Sequence, residues 1–284
     1  MIDRNVLAQR VVLAYLNISV WSGSKRDKGV AQEIAAMKKA APDAGSYTKR
    51  LVPKEVIDVV NTAAQAVRIY YYKNTVSWDD NGARALPVVR WFEYQAGIEE
   101  YIANFYASVN GFCEWYKENW NSYQTRLGQM FNPKEYPYPE EIIDRFKLQT
   151  SYRQITTPDF RVELPDEVNE AIKTSTEEGF KAGLKMAEKE CWARIAELME
   201  KVAEKLEDEK GIFRDSMIEN VNILVATLRP LNIGGSQELD NTLNEMIEGV
   251  GKCFPDWLRV DAQARSKAAA AARKIFEFAS LRSA

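Results

Sequence analysis

Apolar residues in this chain recur mostly every three or four positions, and one stretch keeps that rhythm unbroken. Val88, Trp91, Gln95, Ile98, Ile102, Phe105, Val109, Phe112, Tyr116, Trp120, Tyr123, Leu127 and Met130 follow one another at steps of three or four. The mean step is about 3.5, the seam period of a helix packed lengthwise on a partner. At about 1.5 Å per residue such a helix is on the order of 60 Å long. Asn132-Pro133 ends it, and Gly97, Gly111 and Gly128 are points where it can divide, so the pattern admits one helix or two.

Shorter stretches repeat the helical signature. Pro53 suits a first helical turn, and Val56, Val60, Ala63, Val67 and Tyr71 follow it up to the turn-rich Trp78–Gly82. A short helix is expected around Val30, Ile34 and Met37, before a loop from Pro42 to Ser46, and another from Pro137-Tyr138-Pro139 through Phe146. Pro165-Asp166-Glu167 puts acidic residues at the positive end of a further helix. Its stripe is Phe180, Leu184, Ala187, Cys191, Ile195, Leu198, Val202 and Leu206, spaced about 3.7 apart, with Lys210-Gly211 as its C-cap. Phe213, Met217, Val221, Leu224 and Leu228 continue as the second arm of a helical hairpin up to Arg229-Pro230. After Gly234-Gly235, Ser236 caps a helix carrying Leu239, Leu243, Met246 and Val250, and Asp256–Leu281 reads as an alanine-rich helix.

Three segments alternate as strands do. Residues 11–21 place Val12, Leu16, Ile18 and Val20 on one face, with Asn17, Ser19 and Trp21 on the other. Strands are also expected near 148–156 and 159–164. The fold class is therefore mainly α with a small β-sheet (α+β), its long antiparallel helices packed lengthwise. Residues 1–164 form a strand and long-helix region and 165–284 a helical region, joined in one intertwined domain.

Composition adds exclusions. The chain has no histidine, which removes Ser-His-Asp and Cys-His nucleophilic sites, imidazole acid–base catalysis and His-ligated metals. Cys113, Cys191 and Cys253 are too far apart for a zinc ribbon or a Cys-x-x-Cys pair, and read as small buried groups in a reducing compartment. No run is long and apolar enough to span a bilayer, and charges interrupt any signal-peptide core at the N-terminus. The expected location is the cytoplasm, that of the host cell if the protein is phage-encoded, with no membrane partner.

Charge is unevenly spread. Residues 1–54 carry a net +6, residues 255–284 a net +3, and the stretch between them a net −12. Basic ends on an acidic body suit an arm for nucleic acid, or head-to-tail self-association between unlike surfaces; loop lysines facing water give the same pattern. The candidate phosphate contacts are Lys25, Arg26, Lys28, Lys38, Lys39, Lys49 and Arg50.

Catalytic signatures fall short. Trp21–Gly29 lies between a strand and a helix, as phosphate loops do, but lacks the Gly-x-x-x-x-Gly-Lys-Ser/Thr order. Pro158-Asp159 resembles the start of a metal-dependent nuclease motif, yet Glu163 is followed by Leu164-Pro165 rather than x-Lys. The doublets Asp79-Asp80, Glu99-Glu100, Glu140-Glu141 and Glu177-Glu178 point neighbouring side chains about 100° apart, which suits solvated helix faces. No catalytic residue, metal site or cofactor is assigned. Among the aromatics, Trp91, Phe105, Phe112, Tyr116, Trp120 and Tyr123 belong to the seam, whereas Tyr94, Tyr101, Tyr106 and Trp115 fall off it and are candidate contacts to a partner or second subunit.

Five segments carry a family resemblance: Leu13–Asp27, Thr75–Pro87, Leu127–Tyr136, Asp159–Val168 and Phe213–Val221. Through them the chain resembles a family of tailed-phage and prophage proteins defined by a domain of unknown function. Members are often encoded near phage DNA-metabolism genes or near MoxR-type AAA+ ATPases with von Willebrand A partners. The resemblance implies a phage setting and transfers no active-site residue. The function expected is a non-enzymatic factor that forms homo-oligomers and binds nucleic acid, with single-stranded DNA one form of it. The alternative is an adaptor or inhibitor docking on an AAA+ ATPase or a host defence protein.

Overall fold

In the computed structural model, which describes residues 4–155, 166–208 and 214–283, the apolar spacing becomes a mainly α fold with a small sheet. In chain order its elements begin with α1 (Arg4–Arg10), β1 (Val11–Ser19), β2 (Ser24–Arg26), α2 (Lys28–Met37), β3 (Thr48–Arg50) and α3 (Lys54–Asn74). Next come β4 (Val76–Ser77), β5 (Arg84–Pro87), α4 (Trp91–Glu118), α5 (Tyr123–Leu127) and β6 (Lys147–Gln154). The last are α6 (Asp166–Glu207), α7 (Ser216–Leu231), α8 (Gln237–Met246), α9 (Pro255–Val260) and α10 (Ala262–Ser283). The sheet has the order β4-β5-β1-β6, with β1 antiparallel to β5 from Val11↔Pro87 to Ala14↔Arg84. The strand expected over 159–164 lies outside the described residues, as does the Lys210-Gly211 cap. Among the described residues no helix is long and apolar enough to cross a membrane.

The chain forms two compact units. A terminal unit takes its described residues from Met1–Tyr15, Tyr72–Tyr94 and Ser151–Ala284; a nested unit takes its own from Leu16–Tyr71 and Gln95–Thr150.

In the terminal unit α6 runs 42 residues, about 63 Å at 1.5 Å per residue. The expected stripe is buried at Phe180, Ala187, Cys191, Ile195, Val202 and Leu206, and Trp192, Ala196, Met199 and Ala203 widen it. Its lengthwise partner is α10, which runs antiparallel. Near one end Arg265 Nε donates to the Leu206 carbonyl at 2.9 Å, and near the other the Trp192 and Phe278 rings meet at 5.8 Å. Ala268, Ala269, Ala272 and Ala279 are buried around Ile275, and such small side chains let two helix axes approach closely. The second arm, α7, also touches α6, but less extensively. The expected helix over Asp256–Leu281 divides at Asp261, whose carboxylate accepts the amides of Gln263 (2.9 Å) and Ala264 (3.0 Å) and so caps α10. Ser236 caps α8 as expected, accepting from the Leu239 amide.

Polar groups fix β4 and β5 against α6. Arg84 donates to Glu190 at 2.6 Å, Arg194 pairs with the same carboxylate oxygen, and the Ser77 amide donates to the other oxygen at 2.6 Å. Burial pushes the Glu190 carboxyl up, but Arg194 and Arg84 outweigh it and hold the group below the usual carboxylate range. Arg194 also donates to the carbonyls of Tyr72 (2.6 Å) and Thr75 (2.7 Å). At Gly183 a Cβ would lie 2.7 Å from the Trp78 ring, so only glycine lets α6 pass under that indole.

The nested unit packs α3 through Ile57, Val60, Ala64, Val67 and Tyr71, and α4 through Ile98, Phe105, Val109, Phe112 and Tyr116. The long seam is thus used, but not as one helix. It breaks at Asn119 and again at Gly128, whose φ of 53° ends α5, whereas Gly97 and Gly111 stay within α4. Asn119 Nδ2 donates to the Trp115 carbonyl (2.9 Å) and Ser122 Oγ to the Asn119 carbonyl (2.7 Å), side-chain bonds that compete with the helical ladder. Tyr123 and Leu127 remain buried beyond the break. Gly97 is a point of close approach, since a Cβ there would lie 2.1 Å from the Tyr70 hydroxyl.

Candidate nucleic-acid interface

All seven cations proposed from sequence lie on one local module of the nested unit, formed by β2, α2 and β3. The two short strands pair antiparallel, Ser24↔Arg50, Lys25↔Lys49 and Arg26↔Thr48. Asp27 links strand to helix, because its carboxylate accepts the Val30 amide at 3.2 Å and caps α2 while its own amide donates to the Tyr47 carbonyl. That cap takes the Val30 amide and sets a carboxylate at the start of α2, where a phosphate cradle would present free amides.

Lys25, Arg26, Lys28, Lys38, Lys39 and Arg50 are all exposed, and none makes an ion pair or a side-chain hydrogen bond within the described residues. Glu33 and Asp43 are the exposed carboxylates on the same stretch. α2 contributes no buried residue, and Ile34 and Met37 stand 44% and 79% exposed between the cations. Lys39, which follows the end of α2, has φ of 51°, a left-handed conformation that costs a non-glycine residue about 1 kcal/mol. A cation is held where glycine would fit more cheaply.

Lys49 is the exception, and the sequence reading of it is corrected. The strand alternation turns it inward, where it is 4% exposed. Its ammonium lies 2.8 Å from Asp27 Oδ2 and 2.8 Å from Glu135 Oε2, and donates to the Met130 carbonyl at 2.8 Å. Its three protons are therefore spent inside the fold and unavailable to a phosphate. Burial alone depresses the Lys49 ammonium, but its bonds to Asp27 and Glu135 hold it above its ordinary value. The Lys49 bond, followed by the Val30 amide, lowers the Asp27 carboxyl.

Beneath the module lies an aromatic cluster. Tyr123 stacks on Tyr136 at 4.9 Å with 12° between planes, and Trp120 and Tyr116 meet edge to face at 5.7 Å. The hydroxyls are committed to backbone: Tyr136 donates to Leu51, Tyr123 to Tyr116, and Tyr116 to Pro137. Burial pushes the Tyr136 hydroxyl up to about 12 and those of Tyr116 and Tyr123 higher still. Because Leu51 directly follows β3, this cluster and the Lys49 clamp fix the strand that carries Arg50.

The four aromatics expected to be partner contacts separate. Tyr94 is 1% exposed, its ring edge-on to Tyr152, so it is a core residue. The buried face of α4 enters through Tyr94 and Ile98, four apart, while Gln95 is only half-buried. Tyr101 is half-buried against Tyr70 at 4.8 Å, and Trp115 half-buried against Phe112 and Tyr123. Tyr106 is exposed and donates to the Leu148 carbonyl at 3.3 Å.

The C-terminal basic segment behaves differently. In the terminal unit Arg259 pairs with Asp215 and Asp256, Arg273 with Glu207, Lys274 with Glu245 and Arg282 with Glu238. Arg265 donates to the carbonyls of Leu206 and Asp208. These cations dock their own helices.

Elsewhere a half-open groove of about 440 Å³ in the terminal unit is lined by Lys181, Leu184, Lys185, Glu188, Leu231 and Asn232. The Asn232 amide there is already bound to Ser236 and Asp240. Among the described residues no group of three or more His, Cys, Asp or Glu could hold a metal ion, and Asp79 serves a turn, accepting the amides of Asn81 and Ala83. Sequence reasoning missed Glu135 and the Met130 carbonyl as partners of Lys49, since nothing in the local pattern links positions more than eighty residues apart. In comparisons with known proteins, the chain matches no family model, no curated protein and no solved structure.

Proposed function

We propose that this chain is a non-enzymatic, self-assembling phage-type factor that binds nucleic acid through the β2–α2–β3 module. One observation carries the reading: six exposed cations without partners among the described residues are grouped on a short module whose backbone is fixed from below. Phosphate backbones attract such a group through Coulomb forces and counterion release, without base reading. The left-handed Lys39 supports the same reading, because strained residues concentrate where function maintains them. The phage setting rests on the resemblance in segments such as Leu13–Asp27.

Gel shifts with single- and double-stranded DNA at low and moderate salt test this. Six contacts on a single strand would make log K fall with log salt at a slope of roughly −4. No shift at low salt, where phosphate contacts are strongest, would remove the proposal.

A second reading, an adaptor for an AAA+ ATPase or host protein, is favoured by the exposure of Phe254, Trp257 and Val260, spaced three apart on and beside α9. Such a protein would bring down a stoichiometric partner from infected cells without nucleic acid.

A further inference from the structure

The first four turns of α6 are built without a core. From Asp166 to Gly179 no side chain is buried; Asn169, Ile172 and Thr176 are half-buried and the other residues exposed. Helix propensity does not account for this extension, since Thr174, Ser175, Thr176 and Gly179 are poor helix formers. The segment carries Asp166, Glu167, Glu170, Glu177 and Glu178 against Lys173 alone, a net −4 over about 21 Å. Lys173 neutralises little, lying 3.6 Å from Glu170 with both side chains exposed. Val168 stands 42% exposed on the same helix.

The β2–α2–β3 module has the opposite properties. It presents six cations unpaired among the described residues, and α2 leaves Ile34 and Met37 uncovered over a helix of about 15 Å. Each surface lacks what the other offers: positive charge for the arm, negative charge for the module, and an apolar cover for both. Both are exposed in the chain itself.

We propose that copies of this chain associate head to tail, the acidic Asp166–Gly179 arm of one copy lying on the basic β2–α2–β3 module of the next. Two like arms would repel, as would two like modules, so the contact joins unlike surfaces. Such heterologous contacts close into rings or extend into filaments. The arm then occupies the cations assigned above to nucleic acid, and the two polyanions compete for one surface. This contact deepens the self-assembly part of that reading and does not require that DNA bind.

Charge exchange tests it. An arm variant carries Glu167→Lys, Glu170→Lys and Glu177→Lys; a module variant carries Lys25→Glu, Arg26→Glu and Lys38→Glu. All six positions are exposed, and circular dichroism checks that both variants keep the wild-type helix content. In sedimentation velocity at low salt, wild type should form species larger than a dimer that dissociate to monomers in about 0.5 M salt, where the Debye length falls to several ångströms. Each variant alone should stay monomeric, and an equimolar mixture should recover assemblies larger than a dimer in which the two variants alternate, reversed arm on reversed module and unchanged arm on unchanged module. Monomeric wild type at low salt overturns the proposal, as does association unchanged in either variant, or folded variants that fail to pair when mixed. If DNA shifts the wild type while the arm variant sediments like it, the module serves nucleic acid alone and this contact is withdrawn. If association follows the charge exchange but no DNA shift occurs, the contact stands and the nucleic-acid reading falls.

Discussion

The two basic regions of this chain share a sign and differ in use. At the C-terminus Arg259 of α9 and Arg273, Lys274 and Arg282 of α10 face acids of their own unit: Asp215, Glu207, Glu245 and Glu238. On the β2–α2–β3 module only Lys49 is paired among the described residues, with Asp27 and Glu135, and the cations around it face outward. Net charge per segment treats these regions alike. What separates them is whether the fold brings a carboxylate within about 4 Å, and that depends on helix pairing rather than on composition.

The largest effect is expected from the polar lock in the terminal unit. Glu190→Ala leaves Arg84 and Arg194 without their shared carboxylate, and breaking such a buried arrangement costs about 3 kcal/mol. Urea unfolding should show that loss while DNA affinity stays at the wild-type value; a large loss of affinity would mean the two regions are not separable in function. The second comparison neutralises cations in both regions. Lys25→Ala with Arg26→Ala and Arg50→Ala should lower the salt slope of DNA binding by about 2 and weaken binding more than tenfold at low salt. Arg273→Ala with Lys274→Ala should lower the thermal midpoint slightly and leave DNA binding unchanged. Equal losses of binding from both sets would erase the distinction.

A third test uses alkaline pH. The folded pKa of Tyr136 is raised to about 12 from an ordinary value near 10. Its contribution is therefore complete below pH 10 and is lost as pH climbs toward 12. Tyrosinate absorbance should rise late and together with loss of the near-ultraviolet dichroism of the aromatic cluster. Titration near pH 10 with the fold intact would contradict its burial. The smallest effect is expected at Lys39→Gly, which removes the left-handed cost and should stabilise the protein by about 1 kcal/mol or less, with a small fall in DNA affinity.

Much of this fold was legible because a buried stripe repeats over many turns. On α6 most of the stripe from Phe180 to Leu206 is buried as its spacing requires, and on α4 so are Ile98, Phe105, Val109, Phe112 and Tyr116. Legibility failed where a few atoms compete locally. Asn119 and Ser122 turn the chain through side-chain bonds that look, in sequence, like ordinary polar positions on a long helix. Strands β4 and β5 are two and four residues long, too short for alternation to appear, and all four residues of β5 are buried. The partnership of α6 with α10 was hidden because alanine carries a weak apolar signal, although it suits close packing. At the candidate interface the six outward cations were readable from charge alone. Lys49 and Tyr94 were not, since their burial depends on which face the backbone turns inward.

The pairing of α6 with α10 has a consequence for how the polypeptide is made. The buried edge of α6 is translated well before the alanine stripe that covers it, and about 75 residues separate Glu207 from Arg282. At ribosomal speeds of about 5–20 residues per second, Ile195, Met199 and Val202 wait on the order of ten seconds for their cover. During that interval a nascent chain presents a long greasy ridge to whatever is nearby. A chain halted before Ala262 would keep that ridge permanently, and is expected to aggregate or be captured by chaperones where the finished molecule is not.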